Sequence, residues 1–184
     1  MSTTLHPEVN KAISTALEAL RVDDPKVRHE ARELLERLGT PAVEPLLGVL
    51  PETHDRGDER TRREVLHALG AIADERATEA FLTALEDDCA DCRWAAAEGL
   101  IGLGWAGLLR TLDELVEFPG TLRKLHGVHH VLHGMRRTGY CRLVQPVLKA
   151  FVSDIPEIDV PRTALRAAAE MHRRGPLESA GVAE

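Results

Sequence analysis

From Asp24 to Leu50 the apolar positions fall into two helical stripes separated by one sharp turn. In the first, Val27, Ala31, Leu34, Leu35 and Leu38 recur at the spacing that gathers side chains on one helix face. Asp24 suits the N-cap, and Pro25 suits the first helical position, where a missing N–H costs nothing. Gly39 suits the left-handed conformation that ends a helix. Thr40-Pro41 then opens a second stripe of Val43, Leu46, Leu47 and Leu50, with Pro45 near the limit of what a first turn tolerates. Neither helix finds a partner for its stripe within the unit, so copies of the unit must stack side by side.

The pattern returns along the chain. Setting Arg62 and Arg93 against Arg28 aligns the next two copies, and Gly104, Gly139 and Gly175 fall against Gly39. One core column then reads Leu35, Leu69, Leu100, Met135, Met171, and another Ala31, Val65, Ala96, Val131, Ala167. An interval of roughly 31 to 36 residues is that of two-helix repeats. Second-helix stripes recur at 42–50, 77–85, 108–116 and 143–151, with Pro45 and Pro146 at the same point of the pattern. The expected organisation is one unit over 1–175 with a capping helix at 7–21 and repeats at about 24–50, 58–87, 89–117, 121–153 and 161–174. Polar connections are expected at 51–58, 117–121 and 154–161. The fifth copy lacks a second helix, and its inward positions turn polar at Glu170 and Arg174, as the end of a stack requires. Residues 176–184 hold too little apolar content to fold and are expected to be a disordered tail.

Composition agrees with this pattern. Of 184 residues, 43% are hydrophobic but only 3% aromatic, which suits closely packed Leu- and Ala-rich helices better than a β-sandwich. The net charge of −7 disfavours non-specific binding to nucleic acid or to an anionic membrane. No apolar run approaches about 18 residues, and MSTTLHPEVNK lacks the apolar core of a signal peptide. Three cysteines do not suggest a disulfide framework, so a cytoplasmic setting is expected.

The D-x-x-V-R-x-x-A-x-x-x-L-x-x-L-G pattern, clearest at 24–39, resembles the HEAT-like repeats of phycobilin lyases. The resemblance runs over roughly residues 24–175 and implies an all-α, right-handed α-solenoid of about five stacked helical hairpins. It also implies an Asp/Arg ladder linking neighbouring repeats. Here Asp24/Arg28, Asp58/Arg62 and Asp91/Arg93 match it, whereas Val128 and Ala164 stand at the Arg position of later copies. His29-Glu30 resembles one iron-binding pair of the HEAT-type deoxyhypusine hydroxylases. The aligned positions are Arg63-Glu64, Trp94-Ala95 and His129-His130, so the other pairs are missing.

Several residues carry possible chemistry. His126, His129, His130 and His133 fall at i, i+3, i+4 and i+7 on an outward stripe of one helix. Such a stripe is either a solvated face, a chelate for zinc or another divalent transition metal, or a pH-dependent contact. The aligned copies suggest an outward column of Glu33, His67, Glu98 and His133, read as surface ion pairs or as a carboxylate–imidazole metal site. Cys89 and Cys92 form a C-x-x-C whose second thiol falls on a core column, so a buried thiol and a redox pair are both open. Trp94 stands in an outward column, either as an exposed anchor or folded over the next helix, and Trp105 is expected to fill the gap between paired helices.

In stacked helix pairs the second helices line the concave face. Glu44, Glu79, Glu86, Glu114 and Glu117 occupy non-core positions there, so the groove is expected to be acidic and to suit a basic peptide or protein surface. The chain therefore reads as a non-catalytic scaffold or adaptor that binds a protein partner through these glutamates and Trp94, without nucleic acid or membrane. An enzyme or chaperone of the phycobilin-lyase kind is the alternative the resemblance implies, and metal binding at the histidines is the third reading. No catalytic residue stands out.

Overall fold

Asp24 starts the second helix as its sequence predicts: Oδ1 accepts the Lys26 N–H at 2.8 Å, and Pro25 takes the first helical position. Asp58 repeats the device one copy later, accepting the Thr61 N–H at 3.1 Å. The turn that ends each first helix also repeats. Gly39, Gly104, Gly139 and Gly175 all have positive φ, and so does Ala73, the one non-glycine among the described residues to do so.

The computed structural model describes residues 7–55, 57–116 and 122–175. The expected tail at 176–184, the 117–121 connection and Glu117 within it lie outside the described residues. The described chain is all-α, with α1 at Pro7–Ala19, α2 at Pro25–Leu38, α3 at Val43–Asp55, α4 at Glu59–Ile72 and α5 at Thr78–Ala84. It continues with α6 at Ala90–Gly102, α7 at Trp105–Val116, α8 at Leu122–Met135, α9 at Cys141–Ala150 and α10 at Pro156–Arg174. Among the described residues, no helix is long and apolar enough to cross a membrane.

Helices α2, α4, α6 and α8 pack one against the next in a first row, and α1 covers the outer side of α2. The second helices settle alongside, α3 against α4, α5 against α6, and α7 between α6 and α8. Leu35, Leu69, Leu100 and Met135 are fully buried along the first row, with Ala31, Val65, Ala96 and Val131 beside them in one continuous core. Trp105, at the start of α7, packs on that core from its edge. These hairpin-like pairs form the repeat array that the apolar columns predict.

Two expected connections are helical instead. Residues 51–55 extend α3 through Pro51, because its frayed end is held by side chains. The Thr53 carbonyl accepts the Asp58 N–H at 2.8 Å and the Arg62 Nη1 at 3.0 Å, and Thr53 Oγ1 donates to the Leu50 carbonyl. Likewise α10 begins at Pro156, not near residue 161, and passes through Pro161. Burial of Val160, Ala164, Ala167, Ala168 and Met171 on one face offsets the missing Pro161 N–H.

The course of α10 also differs from a fifth stacked copy. Met171 and Ala167 are buried as predicted, but α10 packs against α7 and α9 instead of lying alongside α8. Its outer carboxylate, Glu170, pairs with Arg173 and Arg174 at the helix C-terminus.

Candidate functional site

The Asp and Arg residues of the repeat pattern are spent on structure, though not as same-repeat pairs. Asp24 and Asp58 cap helices, while Arg28 and Arg93 donate to the carbonyls of Val22 and Asp87, each six residues earlier. Arg62, buried, pairs with Asp87 of the next turn through Nε–Oδ2 at 2.5 Å and Nη2–Oδ1 at 2.9 Å. The hydrogen bond to Asp87 raises the Arg62 pKa further above its ordinary value. Other links between repeats come from Arg32–Glu64 at 3.2 Å and Arg63–Asp91 at 3.4 Å. The repeats are linked with different partners from those expected: Asp24 and Asp58 are held at their own helix starts, while Asp91 pairs with Arg63 of the preceding repeat.

On the second-helix side, the glutamates expected to make the surface acidic mostly carry cations. Glu44 meets Arg76 at 2.9 Å, Glu79 meets Arg110 at 2.8 Å, and Glu114 meets Lys124 at 2.6 Å. Arg110 also reaches Asp113 at 3.3 Å. Sequence reasoning missed Arg76 and Arg110, yet they stand 32 and 31 residues after their partners, which is the repeat interval itself. The acidic stripe is therefore an alternating row of charge; the Glu44–Arg76 and Glu79–Arg110 pairs are largely exposed and of small energetic weight, and Glu114–Lys124 is half-buried.

A groove of about 750 Å³ opens between α3 and α5 on this side. Leu47, Leu50, Pro51, Ala80 and Ala84 supply apolar walls, and Thr83 is exposed within it. Its rim holds Glu79, Glu86 and Asp88 with His54, and its lining includes the buried Arg62–Asp87 pair. Two of the expected partner-binding glutamates, Glu79 and Glu86, thus sit together on this groove, whereas Glu44 and Glu114 lie outside its lining.

The histidines of α8 are all exposed, and all four line one surface hollow. The His129 and His133 rings lie 4.6 Å apart, and His129 stands edge-on to Phe151 at 5.6 Å. Partial burial, then the neighbouring imidazoles of His133, His126 and His130, hold the His129 pKa below its ordinary value. His130, not His133, meets Glu98, at 2.8 Å. The predicted outward column is broken in register: Glu33 pairs with His29 and Arg37, and His67 lies beside Trp94 with ring centres 6.2 Å apart. Among the described residues, no three His, Cys, Asp or Glu side chains converge as a ready-made metal centre.

Trp94 is 54% exposed and shares a shallow surface with Arg32, Glu36, His67 and Glu98 on the first row, away from the groove. Cys92 is buried and Cys89 half-buried, and both are free thiols. Burial, with a hydrogen bond to Cys89, raises the Cys92 pKa well above its ordinary value, so its thiol is held protonated. His29, of the His-Glu pair, is exposed and 3.4 Å from Glu33.

No curated protein matches the chain. The family model described as HEAT repeats matches residues 13–101, which run from within α1 to within α6. The stacked helix pairs of that segment are consistent with a HEAT-repeat array.

Proposed function

We propose that the protein is a non-catalytic scaffold whose α3–α5 groove holds a basic, partly apolar segment of a protein partner. HEAT-repeat domains generally serve as protein-interaction scaffolds, which supports this class of role. The observation that carries the specific reading is the groove lining: apolar walls from Leu47, Leu50, Ala80 and Ala84 beneath a rim of Glu86, Asp88 and the Arg110-bridged Glu79 beside His54. An aliphatic side chain buried between the walls would contribute about 1.5–3 kcal/mol. Lys or Arg beside it would meet the rim and gain in association rate more than in affinity. Glu44 and Glu114, each bridged to a cation, extend the same side of the array and would steer a longer basic segment, while Trp94 would serve a separate surface on the first row.

The test is peptide selection. A library of unbiased 14-residue peptides is enriched against the tag-free protein, and the winners are measured by fluorescence polarisation. Enriched peptides should pair aliphatic residues with Lys or Arg, and should bind Thr83→Arg at least tenfold more weakly. That variant fills the groove from an exposed position and should keep the wild-type melting temperature. Winners that lack basic residues, or that bind Thr83→Arg unchanged, would exclude the groove as the docking site.

A further inference from the structure

We propose that the histidine hollow on α8 binds one divalent transition-metal ion, chelated by the imidazoles of His129 and His133. The two residues are one helical turn apart, and their rings already lie 4.6 Å apart at their centres, tilted by 51°. A zinc-class ion bonded at about 2.0–2.1 Å to each nitrogen bridges two imidazoles at such a separation with only small side-chain rotations. Among the described residues, the hollow of about 490 Å³ is lined by His126, His129, His130 and His133, with no ammonium or guanidinium between them.

Both diagonals of the cluster are steadied from outside. Phe151 abuts the His129 ring nearly at right angles, at 81°, and restricts its rotation. Glu98, from α6, holds His130 Nε2 at 2.8 Å, the kind of carboxylate–imidazole link that orients a ring beside a metal. His126 and His130 complete the wall of the hollow. Because no third side chain converges among the described residues, solvent would fill the remaining coordination positions, and the site is open and exchangeable. Imidazole donors select zinc, copper or nickel over magnesium and calcium, which prefer oxygen. This site is on the first row and is independent of the α3–α5 groove.

Zinc titration of tag-free, chelator-treated protein by isothermal calorimetry tests the proposal, with magnesium as the control. One equivalent of zinc should bind saturably and magnesium should not. His129→Gln and His133→Gln should each weaken zinc at least tenfold, and His126→Gln less than threefold. In the wild-type protein, zinc should shift the imidazole proton resonances of His129 and His133 before those of His29, His54 or His172, a readout that needs no variant to fold. Absence of saturable binding, more than one equivalent, or equal losses across all the variants would mean independent surface imidazoles and would overturn the proposal.

Discussion

Arg62 of α4 and Asp87 of the turn before α6 are joined by two parallel hydrogen bonds, and both side chains are nearly inaccessible to solvent. Arg62 also closes the end of α3 through the Thr53 carbonyl, and Asp87 accepts the Cys89 N–H at 2.8 Å. One ion pair thus fastens three successive segments. Removing one partner leaves the other charge buried, which typically costs about 3–5 kcal/mol. Asp87→Ala should therefore lower unfolding stability by about 3 kcal/mol or more in urea titrations. The double change Arg62→Met with Asp87→Leu should cost less than either single change predicts by addition. A loss below about 1 kcal/mol for Asp87→Ala would show that the pair contributes little.

Ala73 occupies the turn position that glycine fills in the other copies, with φ at 54° and ψ at 43°. An L-residue in that conformation costs roughly 1–2 kcal/mol that glycine does not, offset in part by the greater freedom of glycine in the unfolded chain. Ala73→Gly should therefore stabilise the protein by about 0.5 kcal/mol or more. Gly39→Ala should do the opposite, since Gly39 sits at φ 67° and ψ −137°. Differential scanning calorimetry should move the two melting temperatures in opposite directions. A fall for Ala73→Gly would mean the turn tolerates its alanine.

His67 is half-buried beside Trp94, and burial, then the charge of Arg32, depresses its pKa below the ordinary value. The unfolded imidazole takes a proton near pH 6.5. Below that pH the unfolded chain binds more protons at this residue than the folded one, so acidification through about pH 6.5 favours unfolding. The loss continues until the folded imidazole protonates as well. His67→Gln lacks this contribution, so its stability relative to wild type should improve between pH 8 and pH 5. Parallel stability curves for the two proteins across that range would remove His67 as a contributor.

Much of the fold was legible because burial imposes two periods at once. The helical spacing picks out Leu35, and the repeat interval then carries it to Leu69, Leu100 and Met135, all fully buried. Helix starts at Asp24 and Asp58 were legible for a local reason, since a short acceptor before an apolar run satisfies orphan N–H groups. The partner of Arg62 was not, because the position equivalent to Asp87 in the first copy is Val22, which offers a carbonyl but no carboxylate. Side-chain columns on the outer surface failed by one helical turn: successive helices are offset along their axes, so Glu98 faces His130 where a level stack places His133. An apolar stripe states that a helix is buried but not against what, which is why Met171 was placed correctly and α10 was not. The acid excess of the second helices is largely answered by cations one interval downstream, Arg76 for Glu44 and Arg110 for Glu79.

The turn of α10 away from α8 decides how such an array can grow. Lengthening by duplication adds a unit beside an existing flank, and the flank of α8 is not the place from which the chain departs. Sequence appended after α10 sets out from the layer of α7 and α9, whereas a pair inserted between existing units keeps both ends intact. Designed extensions should therefore be spliced at an internal boundary, between α5 and α6 for instance, and not fused behind the final helix.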